Sequence, residues 1–154
     1  MPGVRPVKIY LELMREEHLD QVSQIEQVSF PIPWSRQSFA QELQNGYTRY
    51  VVAVNDAGQV AGYGGMWLTL DEAQITNVAV HPEQRGKNVG KLLMLGLIQQ
   101  ATLSGCRKMT LEVASSNLIA RRLYESFGFT AGGIRKKYYE HNGDDAIIMW
   151  LNDI

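Results

Sequence analysis

The order of segments predicts a mixed α/β domain: strand, two helices, three strands, long helix, strand, short helix, two strands. Stretches with period-two alternation, such as Lys108 to Val113, mark strands. Stretches with apolar residues three or four apart, such as Gly90 to Ser104, mark helices. Proline, glycine and Asn-Gly punctuation separates them. This order is neither a regular parallel alternation nor an all-β pattern. It predicts a mixed sheet with helices on both faces.

Val7 to Leu13 alternates apolar and polar residues and forms the first strand. Glu16 to Ser29 carries Leu19, Val22 and Ile25 at helical spacing, and Pro31 and Pro33 end that helix. Ser35 caps a second helix running to about Leu43, with Trp34 and Phe39 placed as a hydrophobic staple. Tyr47 to Asn55 and Gln59 to Leu70 are strands joined by the turn Asn55-Asp56-Ala57-Gly58, and Glu72 to Val80 follows as a third. The long helix from Gly90 to Ser104 sets Leu92, Leu93, Leu97 and Ala101 on one stripe and closes at Gly105. In Lys108 to Val113, Met109, Leu111 and Val113 face one way, Thr110 and Glu112 the other. A short helix from Asn117 to Phe127 stops at Gly128, and two last strands flank the Asn142-Gly143 turn.

The chain of 154 residues has the length of one domain, residues 1–154, with 45% hydrophobic and 20% charged residues. A net charge of -1 lacks the basic excess of a nucleic-acid binder. Cys106 is the one cysteine, which excludes an intramolecular disulfide and suits a reducing cytoplasm. No window approaches the ~20 apolar residues of a membrane span, and Met1 to Lys8 lacks a signal-peptide apolar run. His18, His81 and His141 have no spacing that makes a metal site, so no metal is expected.

The junction before the long helix reads Asn77-Val78-Ala79-Val80-His81-Pro82-Glu83-Gln84-Arg85-Gly86-Lys87-Asn88-Val89-Gly90-Lys91. A glycine-bearing loop feeding a helix N-terminus presents free N–H groups at the positive end of the dipole, which suits phosphate. Arg85, Lys87 and Lys91 add positive charge. Neither the Walker nor the Rossmann glycine pattern is present. Without more context, a solvated turn is the alternative reading.

This loop resembles motif A of the GCN5-related N-acetyltransferase (GNAT) superfamily, with Asn88 where the motif's first glycine is usual. Asn tolerates the left-handed backbone that such a position demands. The resemblance covers nearly the whole chain from Val7. It implies a mostly antiparallel sheet of about seven strands. It also implies that the amides of Gly86, Lys87, Asn88, Val89, Gly90 and Lys91 hold the pyrophosphate of acetyl-coenzyme A, while Val78, Ala79 and Val80 bind its pantetheine arm. A strand bulge near Asn77-Val78 would free an amide for an oxyanion.

On the residues alone, Glu112 reads as a solvent-facing carboxylate and Tyr124 as part of the stripe Ala120, Leu123, Tyr124, Phe127. Leu111-Glu112-Val113, Ser116-Asn117 and Leu123 to Phe129 are similar to the RimI-type ribosomal-protein alanine acetyltransferases. That resemblance makes Glu112 the general base, Tyr124 the general acid and Asn117 a coenzyme A contact. Asn117 and Tyr124 lie about 10.5 Å apart along one helix face at 1.5 Å per residue.

Phe30-Pro31-Ile32-Pro33-Trp34 either packs as a staple or lines a peptide groove, as the resemblance implies for Phe30 and Trp34. Tyr138 and Tyr139 read as an edge-strand aromatic pair, or by resemblance as a clasp on the substrate backbone. Arg135-Lys136-Lys137 reads as a solvated face, with an acidic partner or cofactor phosphates as alternatives, and Cys106 as a structural thiol.

The reading is an acetyl-coenzyme A-dependent enzyme acting on a protein N-terminus, that of a small-subunit ribosomal protein. It is expected as a monomer or weak dimer without nucleic-acid or membrane partners. Acetylation of lysine or a small polyamine, and a non-catalytic coenzyme A-binding module, are the alternatives.

Overall fold

The computed structural model describes residues 8–139 and 142–154. The predicted first residue of the opening strand, Val7, and His141 lie outside them. Seven strands form one sheet in the order β1-β2-β3-β4-β5-β7-β6. They are β1 (Ile9–Leu13), β2 (Thr48–Asn55), β3 (Val60–Thr69), β4 (Glu72–Val80), β5 (Lys108–Ala114), β6 (Thr130–Tyr139) and β7 (Asp144–Leu151). Every pairing is antiparallel except β4 with β5. The α-helices among the described residues are α1 (Leu19–Ser29), α2 (Arg36–Gln44), α3 (Val89–Leu103) and α4 (Leu118–Ser126).

The first predicted helix divides: Glu16–His18 is a 3-10 turn, and the α-helix begins at Leu19. Ser35 caps α2 by accepting from Ser38 N–H at 3.1 Å, and the Trp34 and Phe39 rings lie 5.5 Å apart as the staple requires.

Side-chain alternation along the central strands separates two cores. On β2, Val51 and Ala53 join Leu93, Leu97, Met109, Leu111 and Phe129 under α3, with Tyr124 of α4 in the same cluster. Tyr50, Val52 and Val54 face the other way, onto Leu19, Val22, Ile25 and Phe39 of α1 and α2. Helices thus cover both faces, as the sequence predicts. On β5, Met109, Leu111 and Val113 all enter the α3-side core, which leaves Glu112 to the opposite face.

Two irregularities shape the middle of the sheet. The β3–β4 register passes from Gly65↔Asn77 to Met66↔Ile75, leaving Thr76 as the extra residue of a bulge. The resemblance placed a bulge at Asn77-Val78; it begins one residue earlier. The parallel pairing of β4 with β5 covers only Glu72–Gln74 against Lys108–Thr110. Beyond those pairs the two strands part, and a gap opens in the sheet.

Gly65 is the bulge's partner across β3, and a Cβ there would stand 2.0 Å from the buried Tyr50 ring. That ring is held edge-on by Phe39 at 6.2 Å and cannot retreat without disturbing the core. Gly65→Ala is therefore expected to cost about 1–3 kcal/mol, read as a lower urea midpoint with unchanged m-value. An unchanged midpoint would show that the ring has room to move.

Candidate active site in the β4–β5 gap

Where β4 and β5 part, a cleft of about 440 Å³ opens, walled by Ile75 to Val78 of β4 and Leu111 to Ala114 of β5. Asn117, Ala120 and Tyr124 of α4 close one side. Glu26 and Ser29 of α1, with Phe30, Pro31, Ile32 and Trp34 of the following segment, close the other, and Tyr139 completes the rim. Of the residues singled out from sequence, the cleft brings together Val78, Glu112, Asn117, Tyr124, Trp34, Phe30 and Tyr139. Tyr138 lies outside it, 49% exposed, with its ring across Tyr139 at 5.2 Å.

Glu112 reaches the cleft from the α1–α2 face, and its side chain is 19% exposed. Arg135 Nε meets its Oε1 at 2.7 Å, while the same guanidinium sits 5.8 Å from the centroid of the Tyr138 ring. Arg135, Lys136 and Lys137 are all exposed, in keeping with a solvated face, and Arg135 meets Glu112 from that surface. Arg135 stands opposite Ala146 of β7, which stands opposite Ala114 of β5, so ordinary alternation sets Arg135 on the same face as Glu112. Lys137 N–H is meanwhile held by Asp145 Oδ1 at 2.9 Å.

Tyr124 approaches from the α3 side, packed against Phe129 at 6.1 Å. Burial, with Tyr139 nearby, pushes its hydroxyl up to about 12, so it stays a proton donor through the neutral range. Burial, reinforced by Glu112, pushes Tyr139 up to about 12 as well. Tyr138 is also raised, chiefly by the Glu112 carboxylate. Tyr124 belongs to the α3-side core and is also one of the residues that line the cleft.

Asn117 caps α4, with Oδ1 accepting from Ala120 N–H at 3.2 Å, which fixes the amide at the mouth of the cleft. Asp144 holds the preceding loop by accepting from Ser115 Oγ at 2.6 Å and from Ser116 Oγ. Those two hydroxyls draw the Asp144 carboxyl below its ordinary range.

The glycine-bearing loop runs directly from the end of β4 into α3. Asn88 sits at φ 62, ψ 19, the left-handed conformation expected for it, and Gly86 at φ 78. The first helical bond runs from Leu92 N–H to Asn88 O at 3.2 Å, so the amides of Val89, Gly90 and Lys91 have no intrahelical acceptor. A Cβ on Gly90 would meet Leu123 of α4 at 3.1 Å, so this helix start lies against the helix bearing Asn117 and Tyr124. Ala79 and Val80 continue β4 toward the loop, paired with β3 on one edge only among the described residues. Free strand edge, free amides and added basic charge form one path that fits an extended pantetheine arm ending in a pyrophosphate.

Three contributors were not foreseen: Arg135, the bulge residue Thr76, and Glu26. Glu26 is 3% exposed and belongs to the α1 wall of the cleft. A signal for it exists in the sequence, because position 26 continues the stripe of Leu19 and Val22 at i+7 and i+4, where an apolar residue belongs.

Away from the cleft, Glu12, Glu17 and His18 bring ligand-type atoms within 4.8 Å of one another. Arg15 occupies both carboxylates, at 3.1 Å and 2.8 Å, and its N–H uses His18 Nδ1 at 2.9 Å. The cluster is an ion-pair network that ties β1 to the start of α1.

Residues 19–129 match the acetyltransferase (GNAT) family. A protein of Escherichia coli (strain K12), ribosomal protein bS18-alanine N-acetyltransferase, is 36% identical over 129 residues, covering 82% of this chain and 86% of that one. A protein of Bacillus subtilis (strain 168), given the same name provisionally, is 46% identical over 139 residues, covering 90% and 91%. The crystal structure of the Escherichia coli ribosomal-protein-S18-alanine N-acetyltransferase superposes with a TM-score of 0.85 at 32% identity, covering 96% of each chain. With the parted strands, the helix-start loop and this likeness along nearly its whole length, the chain belongs to the GNAT family of acetyltransferases.

Proposed function

We propose that this enzyme moves the acetyl group of acetyl-coenzyme A onto the α-amine of a protein N-terminus in the cytoplasm. The proposed acceptor is the N-terminal alanine of the small-subunit ribosomal protein bS18, as the names of its relatives indicate for them. The observation that carries this is the gap between β4 and β5, with Glu112 on one face of the sheet and Tyr124 on the other. A thioester drawn through that gap would present its carbonyl carbon to an amine on the Glu112 side. Its sulfur would lie toward Tyr124.

The chemistry follows from those positions. Glu112 takes a proton from the acceptor's ammonium through a water molecule, and the freed nitrogen attacks the thioester carbon. A backbone N–H released by the bulge at Thr76-Asn77 donates to the oxygen as negative charge gathers on it. As the carbon–sulfur bond breaks, Tyr124 gives its proton to the departing thiolate, and the nitrogen sheds its second proton to solvent to leave the neutral amide. Glu112 releases its proton to solvent, and the tyrosinate is reprotonated from it. Trp34, Phe30 and Tyr139 border the acceptor's path, and Tyr138 supports Tyr139 and the Arg135 contact. No acetylated enzyme forms.

The test is incubation of acetyl-coenzyme A with N-terminal peptides, led by an alanine-starting bS18 peptide, followed by mass-spectrometric mapping. Acetyl on the α-amine is expected. Acetyl on lysine ε-amines or a polyamine would replace the proposed acceptor. Cofactor binding without transfer to any amine would reduce the chain to a coenzyme A-binding module.

The loop supplies a separate check. Valine is strained in the left-handed region, at a cost of about 1–2 kcal/mol. Asn88→Val is therefore expected to weaken coenzyme A binding about tenfold, whereas Asn88→Gly keeps it within about threefold. Isothermal titration with coenzyme A measures both. Equal affinity for the valine variant would remove Asn88 from the phosphate site.

A further inference from the structure

Glu26 is a buried carboxylate that pairs with no cation among the described residues. Burial of a carboxylate is unfavourable unless several donors replace its water, and here three do so from three different parts of the chain. Tyr63 of β3 donates its hydroxyl to Oε1. Asn77 donates its Nδ2 to the same oxygen at 3.3 Å. Trp34 donates its backbone N–H to Oε2 at 2.9 Å. Burial, strengthened by the Glu26 carboxylate, raises the Tyr63 hydroxyl far above its ordinary value and keeps it a donor.

The two oxygens therefore look in two functional directions. Oε1 holds Asn77, which sits at the bulge of β4 and in turn accepts from Thr76 Oγ1 at 2.9 Å. Oε2 holds the α1–α2 segment at the residue that immediately precedes the α2 cap. Pro31 and Pro33 stiffen that segment but lack the N–H groups with which a loop secures itself. Its attachment at Trp34 N–H is to Glu26. A carboxylate serving only the core could be replaced by a leucine at lower cost, beside Leu19, Val22 and Ile25 on the same buried face.

We infer that Glu26 is a positioning residue for acetyl transfer: one carboxylate clamps the acceptor-side segment at Trp34 to the bulged cofactor strand at Asn77, setting the width of the cleft between them. Glu26 exchanges no proton with either substrate. The inference rests on the acetyl-transfer reading above, and a misplacement of about 1 Å in such a wall is enough to cost up to 100-fold in rate.

The test uses Glu26→Gln, which keeps the volume but turns an NH2 group toward one of the three donors. By amide hydrogen exchange, the Trp34 N–H is expected to exchange at least about tenfold faster, while the core amides of Leu93 and Leu111 keep their protection. With an acceptor peptide that the wild type acetylates, KM for the peptide rises and kcat falls, each about tenfold, while the coenzyme A Kd stays within about twofold. Faster exchange at Leu93 and Leu111 as well would mean general loosening and would overturn the inference, as would unchanged peptide kinetics. Should Glu26→Gln fail to fold, Asn77→Ala removes the strand-side donor alone. It is expected to lower kcat about fivefold without changing Trp34 exchange, and an unchanged kcat sinks the clamp. Failure of the wild type to acetylate any peptide amine would count against the functional reading, not against the clamp, which the exchange measurement tests by itself.

Discussion

Glu112→Gln is expected to slow acetyl transfer about 100-fold or more at pH 6, and to lose progressively less as pH rises toward 8. The reason lies in the acceptor. An N-terminal amine has a pKa near 7.7–8.0 and is almost entirely an unreactive ammonium at pH 6. With Glu112 in place, the proton leaves on the enzyme, so the bound ammonium is usable. Without it, only the small fraction already neutral in solution can react, and that fraction grows tenfold for each pH unit below the amine's pKa. The kcat/KM of the variant should therefore climb with a slope of one between pH 6 and 7.5, while the wild-type profile stays flatter. Coenzyme A should bind equally to both, since the carboxylate lies on the face of the sheet proposed for the acceptor. A pH-independent ratio between the two enzymes would remove Glu112 from the base role and leave it as the partner of Arg135.

That partnership marks the limit of what the strand pattern could say. Period-two alternation placed Met109, Leu111 and Val113 in one core and left Glu112 on the other face, which the structure bears out. Nothing in Arg135-Lys136-Lys137 announces that the first of three consecutive cations meets Glu112, because that depends on the register that sets Arg135 opposite Ala146 across two strands. Local chemistry was legible wherever one residue decides the backbone: the Ser35 cap and the left-handed Asn88. The opening between β4 and β5 was not, since it arises from where pairing stops and not from any residue within either strand. Glu26 lies between these cases. Its position on an apolar stripe was visible, but its three donors come from residues up to 51 positions away, and only the fold brings them together.

Tyr124→Phe is expected to lower kcat about 100-fold, with stability changed by no more than about 1 kcal/mol. Only a hydroxyl is deleted, and the ring keeps its place against Phe129. If packing were the whole of its role, the variant would turn over as the wild type does. The leaving group supplies a sharper test. A thiolate of ordinary basicity benefits from a proton as the carbon–sulfur bond breaks, whereas a more acidic thiol leaves unaided. The penalty of the variant should therefore shrink with an acetyl thioester of a more acidic thiol, and a constant penalty would contradict the acid role. The pH dependence of stability runs in the same direction. With the folded hydroxyl pushed up to about 12 by burial, and an unfolded value near 10, the folded state holds the proton that the unfolded state releases. The stability contributed is full below pH 10 and is lost as pH rises toward 12. Wild type should lose stability across that window by more than Tyr124→Phe does, as read from urea midpoints at pH 9 and pH 11. Throughout the neutral range the hydroxyl remains protonated, which is the state a general acid must occupy before the thiolate forms.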